Sequence, residues 1–130
     1  MKLAFVVQRY GLEVNGGAEH HCRLMAEHLA KYYDVEVLTT CARDYITWTN
    51  EYVEGIVEIN KIKVHRFCVD YLRDIDKFNR LSDKVFRSHH DEKDELEWMR
   101  LQGPYSTKLF NFIKSNAKSY DFFIFFTYLY

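Results

Sequence analysis

Hydrophobic and polar positions change period several times along the chain, and each change marks an element. Leu3-Ala4-Phe5-Val6-Val7 is a continuous apolar run with β-branched members, the pattern of a central parallel strand covered on both faces. Residues 8–16 interrupt it with the breakers Gly11, Asn15 and Gly16. Helical spacing starts at Gly16 or Gly17, with Ala18, Cys22, Met25, Ala26 and Leu29 on one stripe. Glu19, Arg23, Glu27 and Lys31 fall on the opposite face, where Glu19–Arg23 and Glu27–Lys31 have the i,i+4 spacing of supportive ion pairs. Tyr33-Asp34 closes this helix, and Val35 to Thr40 reads as the second strand of a βαβ unit with a right-handed crossover.

Residues 41–54 are polar with scattered aromatics (Tyr45, Trp48, Tyr52) and no period, which predicts a long loop. Ile56–Ile59 and Ile62–Val69 are strand-like, and Asn60-Lys61 between them suits a tight turn. Alternation in Ile62-Lys63-Val64-His65-Arg66-Phe67 predicts an edge or half-exposed strand. Ile75, Phe78, Leu81, Val85 and Phe86 keep helical spacing from Asp74 to about Ser88. The charged stretch 89–94 reads as a junction before a helix from Asp94 to Gln102, which Gly103 stops. Pro104 then opens a third helix as a first-turn residue, with Leu109, Phe110, Phe112 and Ile113 inward. Phe122 to Thr127 reads as a buried strand in an aromatic ending that is too short to cross a membrane as a helix.

This order of elements predicts an α/β fold, a three-layer Rossmann-like domain with a mainly parallel sheet, spanning residues 1–130 as one domain. In such folds ligands bind at the carboxyl ends of the strands. The glycine loop, the 41–54 loop and Thr127-Tyr128 are therefore expected to meet around one crevice. The apolar ending also predicts that the chain is a truncated piece of a longer protein.

Composition narrows the classes. Hydrophobic residues are 48% and charged residues 28%, which suits a packed domain with a solvated surface. A formal net charge of −1 argues against a nucleic-acid partner held by bulk electrostatics. Cys22, Cys41 and Cys68 are odd in number and widely spaced, so they read as reduced thiols rather than a disulfide framework. With no signal peptide or membrane span in the N-terminal apolar run, the expectation is a cytoplasmic protein.

The chemistry concentrates in Gln8 to His20. Paired glycines at a helix start let backbone N–H groups approach an anion, usually a phosphate, and equally serve a plain tight turn. The loop matches neither G-x-G-x-x-G nor the P-loop pattern. His20-His21-Cys22 beside Glu19 is better read as surface histidines than as a metal site, because adjacent side chains diverge by about 100° on a helix. No metal is predicted. No local signature surrounds a nucleophile, so the catalytic residues are unknown. Trp98 and Gln102 are one turn apart beside a Gly-Pro break. They read either as an aromatic face and an amide lining a sugar pocket or as plain core.

Lys2 to Val7 followed by Asn15-Gly16-Gly17-Ala18-Glu19 resembles the N-terminal domain of retaining GT-B glycosyltransferases of family four. The resemblance continues in Asp34 to Thr40, in the hairpin from Ile59 to Phe67 and in Tyr120-Asp121 before the last strand. It implies an acceptor-binding domain whose Gly16-Gly17 loop lies near the diphosphate of a nucleotide-sugar donor. Arg9, Tyr10, Glu19 and His20 would lie nearby, with Trp98 and Gln102 as further contacts. It also implies a carbohydrate or lipid-linked acceptor, peripheral contact with the inner membrane face as an option, and a C-terminal donor-binding domain that is missing here. No cofactor is expected beyond the donor itself, and the chain alone should be inactive. The alternative is a standalone flavodoxin-like α/β module that binds a small phosphorylated ligand in the same loop.

Overall fold

A computed structural model of the chain describes residues 1–126. The elements run β1 (Lys2–Val7), α1 (Gly17–Leu29), β2 (Asp34–Thr40), β3 (Gly55–Ile59), β4 (Ile62–Phe67), α2 (Ile75–Arg87), α3 (Glu92–Gln102), α4 (Thr107–Asn116), a 3₁₀ turn (Ala117–Ser119) and β5 (Phe122–Phe126). The five strands form one sheet in the order β3-β4-β2-β1-β5. All neighbours are parallel except the β3–β4 hairpin. The fold is thus α/β with a mostly parallel mixed sheet and four α-helices.

Period-two alternation divides β1 between the two faces of the sheet. Leu3, Phe5 and Val7 pack with Cys22 and Ala26 of α1 and with Val35, Val37, Ile62 and Val64. Ala4 and Val6 pack with Leu38, Leu109 of α4 and Tyr120. Burial on both sides explains why β1 carries no polar residue after Lys2. Asn60 and Lys61, at φ 50° and 67°, turn the hairpin.

Several expectations need correction. β4 is an inner strand, and β3 is the edge. Lys63 is exposed, but the other polar residues that made β4 look half exposed are buried: His65 reaches Glu36, and Arg66 reaches the Tyr10 carbonyl. Pro104 opens no helix. It follows Gly103 through a cis bond, and α4 starts at Thr107 with Ser106 Oγ capping the Leu109 N–H. The last strand lies at the sheet edge among the described residues, with Phe122 and Phe125 exposed rather than buried. Thr127 and the residues after it fall outside the described part. Met25 is exposed, off the buried stripe of α1. α3 begins at Glu92, inside the stretch read as a junction, because Asp91 and Asp94 form a capping box.

The amino ends of the strands are tied by a carboxylate that sequence patterning does not flag. Glu36 is buried on β2 and accepts hydrogen bonds from Lys63 Nζ (2.8 Å), His65 Nε2 (2.8 Å) and Tyr120 Oη (2.6 Å), with Lys2 Nζ at 2.9 Å. Burial pushes its carboxyl up, but the bonds from Lys63, Tyr120, Lys2 and His65 outweigh it and bring the carboxyl down to about 2. A carboxyl held lower in the folded than in the unfolded chain stabilises the fold above its unfolded value, about 4.3 for Glu. That stabilisation is lost as pH falls through the folded value. Stability should therefore drop between about pH 4.3 and about pH 2. Glu36→Gln should flatten this acid limb and cost about 1–3 kcal/mol at neutral pH, because the buried Tyr120 and His65 donors lose their ionised partner. Urea titrations at stepped pH measure both effects.

Candidate functional site at the carboxyl end of the central strand

The sheet order changes direction at β1. The chain passes from β1 outward through β2 to β4 and β3, then returns to place β5 on the other flank. A parallel α/β sheet opens a crevice at such a switch point, beyond the carboxyl ends of the two diverging strands. Here the switch point lies where β1 runs into the glycine loop, beside the end of β5. Phe126 at that end meets the His21 ring edge-on at 5.5 Å and the Phe5 ring in a stack at 5.4 Å.

The loop from Gln8 to Gly16 is held from several directions. Thr40 Oγ1 donates to the Gln8 carbonyl at 2.6 Å. Arg23 on α1 donates to the carbonyls of Gly11 and Leu12 at 3.1 and 3.0 Å. Arg66 donates to the Tyr10 carbonyl at 3.1 Å and lies 3.6 Å over the Tyr52 ring, whose hydroxyl bonds Glu13. A Cβ at Gly11 would overlap that Tyr52 hydroxyl.

Glu19 is the largest departure from the helical pattern. It is buried, and its partner is Arg9 rather than Arg23. Arg9 Nη2 and Nε converge on Glu19 Oε1 at 2.6 and 2.8 Å, and Arg9 Nη1 donates to the Arg43 carbonyl at 3.0 Å. Arg23 instead lies 4.0 Å from Glu27, and Glu27 accepts from Asn60 rather than from Lys31. The Arg9 guanidinium also sits 5.4 Å from the Tyr45 ring centroid, so the 41–54 loop closes over the ion pair.

This pair separates the roles of the two glycines. A Cβ at Gly16 would overlap Glu19 Oε2 and come within 2.8 Å of Arg9 Nη2. Gly16 has an ordinary extended backbone (φ −66°, ψ 147°), so close approach, not conformation, calls for glycine there. A Cβ at Gly17 would meet no described atom within 4 Å. Gly17 is the first residue of α1, and no side chain caps this helix. Its first backbone N–H groups have no intrahelical partner, and the positive end of the helix dipole lies behind them.

The remaining candidates separate. Tyr10 is a core residue, 1% exposed, and burial pushes its phenol well above the usual range. His20 is exposed on α1. Among the described residues no group of three or more His, Cys, Asp or Glu side chains is placed to hold a metal ion. Trp98 and Gln102 meet different neighbours. Trp98 packs against Phe78 and Phe86 and donates to Ser82 Oγ at 2.8 Å, which makes it the core of the α2–α3 hairpin. Gln102 receives Trp48 Nε1 on its carbonyl at 2.9 Å and Arg73 Nη2 on its side chain at 3.2 Å. Near the same break, a cavity of about 650 Å³ opens between Tyr71, Lys77, Glu97, Arg100 and Tyr105. Tyr71 and Tyr105 stack there at 5.6 Å.

Sequence reasoning missed Arg66 and Tyr52 as loop supports. The available signal was Arg66 itself, which shares a strand face with Ile62 and Val64 and so had to be buried and satisfied. No protein-family model matches the sequence, and no match to it is found among curated proteins or solved structures. No described helix is long and apolar enough to cross a membrane.

The two glycines should therefore respond oppositely to alanine. Gly16→Ala must displace the Glu19 carboxylate from a buried ion pair and should cost about 1–3 kcal/mol. Gly17→Ala adds a methyl to open space at a helix start and should leave stability unchanged or raise it by up to about 1 kcal/mol. Chemical denaturation of the two variants checks the contrast.

Proposed function

We propose that the chain is the N-terminal, acceptor-side domain of a GT-B glycosyltransferase similar to family four, with a three-layer Rossmann-like fold. In this reading it works with a second, donor-binding domain and moves a sugar from a nucleotide-sugar donor to a carbohydrate or lipid-linked acceptor. The observation that carries the reading is the open side of Gly17 at the uncapped start of α1, next to a Gly16 that is fully occupied from within. Gly17 is exposed, and the fold leaves room beside it for an incoming group. The vacancy suits a group brought in from outside, and the helix start favours that group being anionic.

In the proposed reaction the N–H groups at the start of α1 face the donor diphosphate as the glycosidic bond to it breaks. They stabilise charge that grows on the leaving phosphate, and a preorganised backbone does so without reorganising. Arg9 and Glu19 neutralise each other, so their part is to position the loop. The acceptor enters from the side of the 41–54 loop and the segments around α2 and α3, where the Tyr71–Tyr105 stack offers apolar faces for a sugar ring.

The test is sugar transfer by a protein that joins this chain to its donor-binding domain. Gly17→Val should keep the fold and lower kcat by about 100-fold, the scale for losing one preorganised donor set. Gly17→Ala should fall between the two. Unchanged transfer in the valine variant would remove the loop from the mechanism. Tight calorimetric binding of flavin mononucleotide or a sugar phosphate by the isolated chain would favour the standalone module instead.

A further inference from the structure

The ladder between β2 and β4 ends on two cysteines. Thr40 is paired with Phe67, and the Cys41 N–H donates to the Phe67 carbonyl at 2.9 Å, which sets Cys41 opposite Cys68 in the next step of the parallel register. The ladder then opens. The Cys41 carbonyl turns to the N–H groups of Glu51 and Tyr52, and the Val69 N–H turns to Asn50. The two sulfurs lie 3.9 Å apart, and all three cysteines of the chain are free thiols. Cys41 is fully buried, whereas Cys68 is partly exposed and has its N–H bound by Glu54. Adjacent strands lie about 4.7–4.9 Å apart, inside the Cα separation that a disulfide tolerates. Side-chain rotation, rather than backbone rearrangement, then suffices to join the sulfurs. Cys22 is not a rival partner, because it is enclosed under α1 in the core with Phe5, Val7 and Tyr10.

We propose that Cys41 and Cys68 form a reversible dithiol–disulfide site, oxidised by peroxides or by small disulfides. Cys68 is the entry point because it is the sulfur that solvent reaches. Its thiolate attacks one oxygen of a peroxide, the O–O bond breaks, and water leaves after protonation, so that Cys68 becomes a sulfenic acid. Cys41 Sγ then attacks Cys68 Sγ, the S–O bond breaks, and the departing hydroxide takes the Cys41 proton as a second water. Two thiols have given up two electrons and two protons to one peroxide. With a small disulfide as oxidant, the first step is a mixed disulfide on Cys68, and the second expels the remaining thiol. Burial, and next the neighbouring Cys68 sulfur, hold the Cys41 thiol above its usual range, which fits it to the second step rather than the first. The bond would tie the root of the 41–54 loop to β4. That loop supplies the Arg43 carbonyl and the Tyr45 ring that enclose Arg9.

The test is thiol mapping on the full chain. Protein treated with hydrogen peroxide or oxidised glutathione is unfolded, alkylated with N-ethylmaleimide, and read by intact mass and by peptide mapping without reductant. The number of alkylated thiols should fall from three to one, on Cys22, with a peptide linking Cys41 to Cys68 that dithiothreitol releases. Cys68→Ser should abolish the link and leave Cys41 alkylated. Cys41→Ala should stop at a lasting glutathione adduct on Cys68. The proposal is overturned if Cys41 stays free in the wild-type protein while Cys68 holds glutathione or is oxidised to sulfinic acid. Linkage through Cys22, or between two chains, overturns it equally.

Discussion

Arg9 and Glu19 bring opposite charges together beneath the start of α1, and the glycine loop takes its shape around them. Both side chains are almost wholly withdrawn from water, with 11% and 9% exposed. Desolvating two charges costs several kcal/mol each unless the geometry and further hydrogen bonds offset it. Here two guanidinium nitrogens converge on one carboxylate oxygen, and a third donates to the Arg43 carbonyl. The pair thus fixes three things together: the exit of the chain from β1, the first turn of α1 and the root of the 41–54 loop. It also explains Gly16, since the second carboxylate oxygen occupies the space that a side chain there would need.

The regular elements were legible because each had an unopposed local signal. Continuous apolar runs marked β1 and β5, Asp74 and Gly103 marked helix ends, and Asn60-Lys61 marked the hairpin. What misled was polarity on the buried face. His65 and Arg66 look like the exposed half of an edge strand, but Glu36 and the Tyr10 carbonyl supply partners that only tertiary structure brings near. Glu19 failed in the same way. On an isolated helix its neighbour is Arg23, four residues on, but Arg9 competes from the preceding loop and Arg23 is drawn to the carbonyls of Gly11 and Leu12. Trp98 and Gln102 show the limit of helical spacing as evidence for a pocket. Spacing put them one turn apart, but packing turned the indole into the α2–α3 hairpin and the amide toward Arg73.

The glycine turn into α1 was readable, and the difference between its two glycines was not. Two adjacent glycines look equivalent in a sequence. Their difference arises from a carboxylate two residues beyond Gly17, folded back by an arginine ten residues before it. Long-range pairing of this kind leaves no local period to detect.

The same division bears on what the loop is for. At Gly17 a methyl would meet nothing, so the packing of the fold makes no demand for glycine there. The fold leaves that side of the helix start open. The open side lies at the switch point between β1 and β5, beyond the carboxyl ends of the strands, and an anion brought to it would meet the helix start. No charge from Arg9 is left to hold it, because Glu19 neutralises that guanidinium. Backbone N–H groups and a helix dipole remain, which steer an anion but hold it weakly in water. On the proposed glycosyltransferase reading, those weak forces suit a ligand gripped mainly by a second domain, with only its reacting phosphate presented here.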